Sequence, residues 1–164
     1  MDIKIRQVTM HELNSVANIE EICFSKAEAA IRASLEDRIK VFPESFLVAE
    51  LDGKIVGFIN GSVINEKVIR DEFYSNTSFH DSMGDYQSIF GLDVLPEYRA
   101  RGIAAELIKK LIEVARKAER KGMTLCCKDE KIHYYEKFGF VNIGKSESEH
   151  GHAVWNDMVL LFNN

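Results

Sequence analysis

The stretch that decides the fold is Gly91-Leu-Asp-Val-Leu-Pro96-Glu-Tyr-Arg99-Ala-Arg-Gly102-Ile-Ala104. An apolar run that ends at Leu95 is stopped by Pro96, which fixes its own φ and has no N–H to continue a ladder. Apolar residues then recur at spacings of three and four, which is one face of an amphipathic helix: Ala104, Leu107, Ile108, Leu111, Ile112, Ala115 and Ala118. The stretch therefore predicts a strand, a turn, a small-residue loop and the start of a helix.

A small-residue loop at the start of a helix suits a phosphate ligand. The first N–H groups of a helix have no partner within it, and the helix dipole adds partial positive charge there. Gly102 and Ala104 would let a pyrophosphate approach the backbone, and Arg99 and Arg101 add fixed charge. The loop lacks the Lys-Ser/Thr of a P-loop and the spaced glycines of a dinucleotide fold. Spacing alone leaves open an ordinary strand-to-helix turn on a basic surface.

Two blocks of the sequence resemble markers of the GCN5-related N-acetyltransferase (GNAT) superfamily. Val94-x-Pro96-x-x-Arg99-x-x-Gly102-x-Ala104 is similar to the family's acetyl-CoA loop, Arg/Gln-x-x-Gly-x-Gly/Ala. Tyr134-Tyr135-Glu-Lys-Phe138-Gly139-Phe140 resembles its second marker, a Tyr in a short helix that leads into Phe-Gly-Phe. One long helix and one strand are expected between the blocks, as in the family. Cys127-x-Asp129 and the segment from Phe24 to Glu50 are most similar to the arylalkylamine N-acetyltransferase branch.

The resemblance implies a fold and a cosubstrate. The fold is the α/β GNAT fold, a mixed, mostly antiparallel central sheet with helices on both faces. The cosubstrate is acetyl-CoA, with no metal. On the matching positions, the strand backbone would pair with the pantetheine arm and the loop would hold the diphosphate. The implied cofactor-binding residues are Leu92, Asp93, Val94, Arg99, Ala100, Arg101, Gly102, Ile103, Ala104 and Ala105.

Acetyl transfer to an amine requires a base for the ammonium, a donor for the oxyanion and an acid for the departing thiolate. The resemblance implies that Tyr135 is the acid, with its neighbour Tyr134 in a packing role. Without the resemblance, a Tyr on a short helix is more simply a half-buried packing residue.

The base stays unassigned from the sequence. Arylalkylamine acetyltransferases carry His-x-His on the central strand, and a gapless placement puts Ser88 and Phe90 there. Asp93 is on the same strand, but strict alternation points it opposite Leu92 and Val94. Glu28 and His80 lie in segments that could line an amine pocket, and neither is preferred over proton loss through water.

Periodicity and turn signals place the remaining elements. A capping box at Thr9 and Glu12 starts a first helix, and Asp52-Gly53 marks a hairpin turn. We expect strands at 3–8, 46–51, 54–63, 87–95 and 123–127, a closing antiparallel pair at 140–145 and 154–162, and helices at 9–23, 27–41, 102–121 and 129–138, with a short one near 68–74 in the polar segment 65–85. The strand at 123–127 should run parallel to the strand at 87–95.

Composition bounds the class of protein. A chain of 164 residues with 46% hydrophobic residues predicts one domain, 1–164. No apolar run approaches the roughly 20 residues of a membrane span, and nothing at the N-terminus reads as a signal peptide. Three cysteines, two of them adjacent, favour a reducing cytoplasm. A net charge of −5 argues against nucleic-acid binding, and a homodimer stays open.

Charge is unevenly distributed along the chain. The segment from Glu97 to Lys121 holds eight basic and four acidic residues, a net of +4, which leaves the rest near −9. A basic loop on an acidic body suits a polyanionic cofactor and a cationic amine. We expect Lys109 to Lys121 to be a solvated face with Glu106–Lys110 and Glu113–Lys117 pairs.

Other side chains receive plainer interpretations. Cys126 and Cys127 are expected to be small buried packers, and His150-Gly-His152 a loop rather than a metal site. Four residues near the end of the sequence are expected in the core or in a subunit contact: Trp155, Met158, Leu160 and Phe162.

The sequence thus predicts a cytoplasmic, acetyl-CoA-dependent N-acetyltransferase that acts on a small primary amine by direct attack within a ternary complex. Two alternatives remain: a protein acetyltransferase acting on an N-terminal amine or a lysine, and a non-catalytic acetyl-CoA-binding module.

Overall fold

The computed structural model describes residues 2–163. Its helices and strands are, in chain order, β1 (Lys4–Gln7), α1 (Leu13–Cys23), α2 (Arg32–Val41), β2 (Phe46–Leu51), β3 (Lys54–Asn60), β4 (Val63–Ile64), α3 (Glu72–Ser75), β5 (Tyr86–Ile89), β6 (Gly91–Val94), α4 (Ile103–Lys117), β7 (Gly122–Cys127), α5 (Ile132–Glu136), β8 (Val141–Lys145) and β9 (Asn156–Leu161). The strands form two sheets, with the orders β1-β2-β3-β6 and β4-β5-β7-β9-β8.

The predicted central strand is divided between these sheets. β5 pairs in parallel with β7, whereas β6 pairs antiparallel with β3. Phe90 separates the two halves, and its N–H still donates to Asn60 O at 2.7 Å. The parallel pairing with β7 ends at Ile89, so β6 diverges from β7 and one backbone edge of β6 faces a cleft. Gly91 begins β6 at this divergence.

Helices cover both faces of the sheets. α1 packs Leu13, Val16 and Ile19 with α2 against the β2–β3 face. α4 buries Leu107, Ile108 and Leu111 against the opposite face, which is the periodic face that the sequence identified. The mixed, mostly antiparallel sheet with helices on both faces is therefore confirmed, as is the parallel β5–β7 pair.

Predictions that depend only on residues close in sequence are largely confirmed. The Thr9 N–H donates to Glu12 Oε1 at 2.9 Å, which completes the predicted capping box. Asp52 and Gly53 have φ values of 50° and 80°, the conformation of a tight hairpin turn. The ion pairs that α4 forms include Glu113–Lys117, as predicted, and Lys110–Glu113, whereas Glu106 pairs with Lys109 rather than with Lys110.

The helical region predicted from Ala27 is wrong at its start. α2 begins at Arg32, and residues 25–29 make only one turn. The physical reason is a long-range contact, because the Ala30 N–H donates to the Glu20 carboxylate at 2.8 Å. The short helix α3 likewise lies a few residues after its predicted position, where Phe73 and Ile69 are buried.

Candidate active site

The cleft beside β6 opens into two adjoining cavities. The outer cavity, of about 530 Å³, is lined by β6, the loop after it and the first turn of α4: Leu92, Val94, Tyr98, Arg99, Ala100, Gly102, Ile103, Ala104 and Ala105, with Cys23, Phe24, Lys131, Tyr134 and Tyr135. Every predicted cofactor-binding residue except Asp93 and Arg101 is in this wall. The loop and the strand were predicted to act together, and the fold brings them to one cavity.

The first turn of α4 presents uncapped backbone N–H groups to the outer cavity. Gly102 is the N-cap residue with φ 82°, and no side chain accepts from this turn. Ala100 also has a positive φ, 61°. Left-handed residues at alternate positions orient successive N–H groups toward one side, a geometry that favours anions. A positive φ at an alanine is uncommon, and no local pattern in the sequence predicted it.

The two arginines of the loop have different surroundings. Arg99 Nε donates to Val94 O at 2.9 Å, and its Nη2 approaches Cys23 Sγ at 3.6 Å. Arg101 lies over the Tyr98 ring, with its guanidinium carbon 5.3 Å from the ring centroid. Arg99 therefore fastens the end of β6 as well as contributing charge to the wall.

The free edge of β6 presents the backbone of alternate residues. Leu95 N–H donates to Val56 O at 2.9 Å, and the register pairs Asp93 with Phe58. Because antiparallel strands exchange bonds at every second residue, Asp93 directs its backbone to β3, and Leu92 and Val94 direct theirs to the cleft. The strand backbone available to a ligand is therefore that of Leu92 and Val94.

The inner cavity, of about 350 Å³, continues from the outer one toward β5 and β7. The two share Cys23, Phe24, Leu92, Lys131 and Tyr135. Aromatic side chains form much of the inner wall: Phe24, Tyr74, Phe90, Tyr135, His150 and Trp155. Its charged side chains are Glu20, Glu28, Lys128, Glu130 and Lys131. Size and lining are those of a small-molecule site, for which volumes of roughly 300–1,000 Å³ are usual.

Tyr135 stands where the cavities meet. It lies on α5, and its ring packs edge-on against Tyr134 and Phe140 at centroid distances of 5.4 and 6.0 Å. Gly139, with φ 100°, ends this turn and lets Phe140 enter the core. Burial raises the pKa of Tyr135, with the neighbouring Cys127 adding to the effect. A phenol with a raised pKa keeps its proton at neutral pH, so Tyr135 is present in the form that can donate a proton.

The acetyltransferase (GNAT) family model matches residues 13–140. The chain belongs to this family. The predicted superfamily and the prediction of an enzyme of this N-acetyltransferase family are thereby confirmed.

Several proteins of known structure or curated name are similar to this GNAT chain. The loading GNATL domain of CurA from Lyngbya majuscula superimposes with a TM-score of 0.85 at 14% identity, covering 98% of each chain. The PaiA N-acetyltransferase from Thermoplasma acidophilum, solved in complex with coenzyme A, gives 0.75 at 17% identity over 99% of this chain and 100% of that one. At such identities the likeness concerns the fold.

One curated relative is much longer. The probable hydrolase YhcX of Bacillus subtilis (strain 168) is 23% identical over 142 residues, which are 80% of this chain and 27% of the relative. The GNAT chain thus spans about a quarter of that protein's length.

Two suggested bases are occupied elsewhere. Glu28 lines the inner cavity, but both Lys128 Nζ at 2.9 Å and Ser25 Oγ at 3.3 Å engage its carboxylate. His80 lines neither cavity and accepts from the Val63 N–H at 3.0 Å through Nδ1. Burial lowers the pKa of His80, so the imidazole is a neutral packing partner of Phe42.

Ser88, at the first position of the family's His pair, is fully buried and donates to Ser62 O at 2.6 Å. Phe90, at the second, lines the inner cavity. Neither offers a base.

Several inner-cavity residues were not predicted from the sequence. Trp155 was expected in the core or a subunit contact, but it is a half-buried wall residue whose Nε1 donates to His150 O at 2.8 Å. His150 was expected to be plain loop, yet its ring stacks on Tyr74 at 5.3 Å. Met158, Leu160 and Phe162 are buried, as expected. Glu20 and Tyr74 were not singled out, because only the fold brings α1, α3 and the 146–155 loop together.

Both strand cysteines are structural. Burial raises the pKa of Cys126 to about 12 and that of Cys127 to about 11. Thiols that remain protonated at neutral pH are poor nucleophiles. Cys126 forms part of the inner wall beside Asp157 and Ser146.

Within residues 2–163, no three His, Cys, Asp or Glu side chains are grouped so that they could hold a metal ion. In the same range, no helix has the length and apolar character needed to cross a membrane.

Proposed function

We propose that this GNAT protein transfers an acetyl group from acetyl-CoA to the primary amine of a small molecule, with arylalkylamines as the first class to test. The reaction would proceed by direct attack within a ternary complex. The observation that carries the proposal is the meeting of two cavities at Tyr135, one formed by the anion-binding loop and the other by aromatic and carboxylate side chains. We also take residues 1–164 to act as one cytoplasmic domain.

Acetyl-CoA would occupy the outer cavity. The N–H groups of Ile103, Ala104 and Ala105, freed by Gly102, would bind the diphosphate, and the backbone of Leu92 and Val94 would pair with the pantetheine arm. This pose places the thioester near Leu92 and Tyr135, which both cavities share.

Tyr135 would serve as the acid for the leaving group. The amine attacks the acetyl carbon, the C–S bond breaks and the phenol protonates the sulfur. Burial raises the pKa of Tyr135, so the phenol carries its proton at neutral pH and is available as a donor.

The acceptor would occupy the inner cavity. Aromatic walls favour a flat apolar body, and the carboxylate of Glu20 favours a cation. A cavity of about 350 Å³ accommodates a small amine more readily than a peptide, which needs an extended groove. This feature ranks the small amine ahead of a protein N-terminus or lysine.

The test is release of free CoA thiol from acetyl-CoA with four acceptors: a tryptamine-like amine, an aliphatic diamine, a peptide with a free N-terminus and a lysine peptide. We expect the tryptamine-like amine to give the highest kcat/KM. Higher values for either peptide would favour the protein acetyltransferase. Acetyl-CoA binding with no turnover on any acceptor would favour the non-catalytic module, a reading that the missing His pair keeps open. Calorimetry without any heat of acetyl-CoA binding would overturn all three.

A further inference from the structure

We propose that Glu20, in the wall of the inner cavity, and Asp93, buried behind Gly91, form a carboxyl pair that binds the acceptor's ammonium group and takes its proton. This inference rests on the proposed function and supplies the base that the family's sequence pattern does not provide.

The geometry converges on Gly91. A Cβ atom built there would lie 3.3 Å from Asp93 Oδ1, 3.5 Å from Asn60 Nδ2 and 3.8 Å from Glu20 Oε1. Glycine thus leaves a small space bounded by three polar groups, and Gly91 and Glu20 both line the inner cavity. A side chain at position 91 would fill that space.

The groups around this space are buried without enough partners. Asp93 is 1% exposed, and neither of its oxygens has a donor within residues 2–163. Asn60 is fully buried, and its Nδ2 has no acceptor in that range. Buried polar groups almost always have partners, and an exception in a cavity points to a missing proton, water or ligand. A proton shared between Asp93 and Glu20, followed by an ammonium group, would supply the missing donors.

One buried guanidinium lies near the two carboxyl groups, so the site has room for one further positive charge. Arg38 is 4% exposed and donates to Asn60 Oδ1 at 3.1 Å and Tyr74 O at 2.8 Å. Its guanidinium balances one of the two carboxylates. Burial, then the nearby Glu20 charge, raises the pKa of Asp93 well above its usual range. Asp93 therefore holds its proton more tightly than a free carboxyl group does.

Other charged or titratable groups act on Asp93 from neighbouring helices. Cys23 on α1 adds to the rise in its pKa, and Arg38 on α2 opposes it. Asp93 in turn raises the pKa of Tyr135 on α5, which places the acid and the carboxyl pair within electrostatic reach of each other.

The proton balance is closed. The ammonium N–H bond breaks, an O–H bond forms on Glu20, and the freed lone pair attacks the acetyl carbon. The C–S bond breaks, Tyr135 protonates the sulfur, and the second proton lost by the nitrogen restores Tyr135. The pair then releases one proton to water, so ammonium and thioester become amide, thiol and a proton.

Two isosteric variants test the pair. Glu20→Gln keeps an oxygen that can accept the Ala30 N–H, and Asp93→Asn keeps the shape of its side chain. The control is Glu21→Gln, on the exposed side of α1. We expect Glu20→Gln to lower kcat/KM for the tryptamine-like amine at pH 7 by about 10²-fold or more, the usual contribution of a general base. The acetyl-CoA affinity and the melting temperature should stay near those of Glu21→Gln.

The pH profile separates a base from a structural residue. Below an amine pKa of roughly 10, the unprotonated fraction rises about tenfold per pH unit. The rate of Glu20→Gln should therefore climb with that slope and approach the wild-type rate at high pH, whereas wild type levels off earlier. A constant ratio of the two rates across pH would overturn the role of Glu20.

A binding experiment keeps the test independent of turnover. Calorimetry of the tryptamine-like amine with the complex of protein and desulfo-CoA should show affinity at least about tenfold weaker in Glu20→Gln, because a buried ammonium loses its charged partner. Equal affinities would overturn the pair. Wild type that binds the amine without acetylating it would overturn the proposed function and leave the ammonium site standing.

Discussion

Tyr135, the proposed acid, lines both cavities. Tyr135→Phe should lower kcat by about 10²-fold or more, the usual loss when a general acid is removed, with little change in acetyl-CoA affinity. Tyr134→Phe is the matched control, because Tyr134 lies on the same helix and lines only the outer cavity. Steady-state kinetics and calorimetry on both variants provide the measurement. Equal rates for the two variants would remove Tyr135 from the mechanism.

Substitution of Asp93 by Asn is expected to raise the free energy of unfolding at neutral pH. Its pKa is higher in the folded than in the unfolded chain, so the folded state binds the proton more tightly. The stability that Asp93 contributes is complete below its unfolded pKa of roughly 4 and is lost as the pH rises toward the folded pKa. Asp93→Asn needs no such proton, and at pH 7 it should raise the free energy of unfolding by about 1–3 kcal/mol, the cost of an unsatisfied buried polar group.

Urea unfolding of Asp93→Asn and wild type from pH 4 to pH 8 measures this effect. The difference should shrink toward pH 4. A difference that does not depend on pH would mean that Asp93 is ionised in the folded protein.

At the scale of elements, the N-terminus of α4 is held open by backbone conformation rather than by a side chain. Gly102 has φ 82°, and a Cβ there would meet no atom within 4 Å. Gly102→Ala therefore adds strain of about 1–2 kcal/mol without a steric clash, and relaxation of that strain would turn the N–H groups of the first turn. We expect weaker acetyl-CoA binding in calorimetry.

Gly53→Ala is a close control for this substitution. Gly53 has φ 80° and an equally open Cβ position, but it lies in the β2–β3 turn, outside both cavities. Both variants should lose similar stability in urea, and only Gly102→Ala should lose affinity for acetyl-CoA. Unchanged affinity in Gly102→Ala would separate the loop from cofactor binding.

At the scale of the whole molecule, charge is distributed so that a basic segment borders the cavities of an acidic protein. The chain carries −5 overall, and the segment from Glu97 to Lys121 carries about +4. Acetyl-CoA binding should weaken as salt rises, because the Debye length shortens from about 10 Å at 0.1 M to about 3 Å at 1 M. Arg101→Gln should weaken binding and reduce that salt dependence, whereas Lys109→Gln, on the exposed face of α4, should change neither by much.

Calorimetric affinities for acetyl-CoA at about 0.05, 0.15 and 0.5 M potassium chloride provide the comparison, because the Debye length falls about threefold over this range. Equal losses in the two variants would assign the salt effect to net charge instead of the loop.

Much of the fold could be predicted because its signals are local. The α4 periodicity, the Asp52-Gly53 turn and the Thr9–Glu12 box each need only neighbours within a few residues, and all three are present. The start of α2 could not be predicted in this way. The Ala30 N–H bonds to a carboxylate ten residues away, so tertiary contact overrode a good local helix signal.

The two cavities of the candidate site also differ in how far they could be predicted from local sequence. Most of the outer cavity follows from one continuous stretch, 92–105, which was predicted from the sequence, and the remaining wall comes from residues 23–24 and 131–135. The inner cavity is assembled from α1, α3, β5 to β7 and the loop before β9, whose members are far apart in the chain. No spacing rule connects Glu20, Tyr74 and Trp155.

The sequence by itself determined the family, the main strands and helices, the loop at the start of α4 and the motif that contains Tyr135, because each is written in a short pattern of spacing or in a motif. Only the tertiary structure decided which side chains line the inner cavity and what surrounds Asp93. A residue's burial and its charged neighbours depend on segments that are far apart in the chain and lie together only in the folded protein. These surroundings set the protonation state of a carboxyl group.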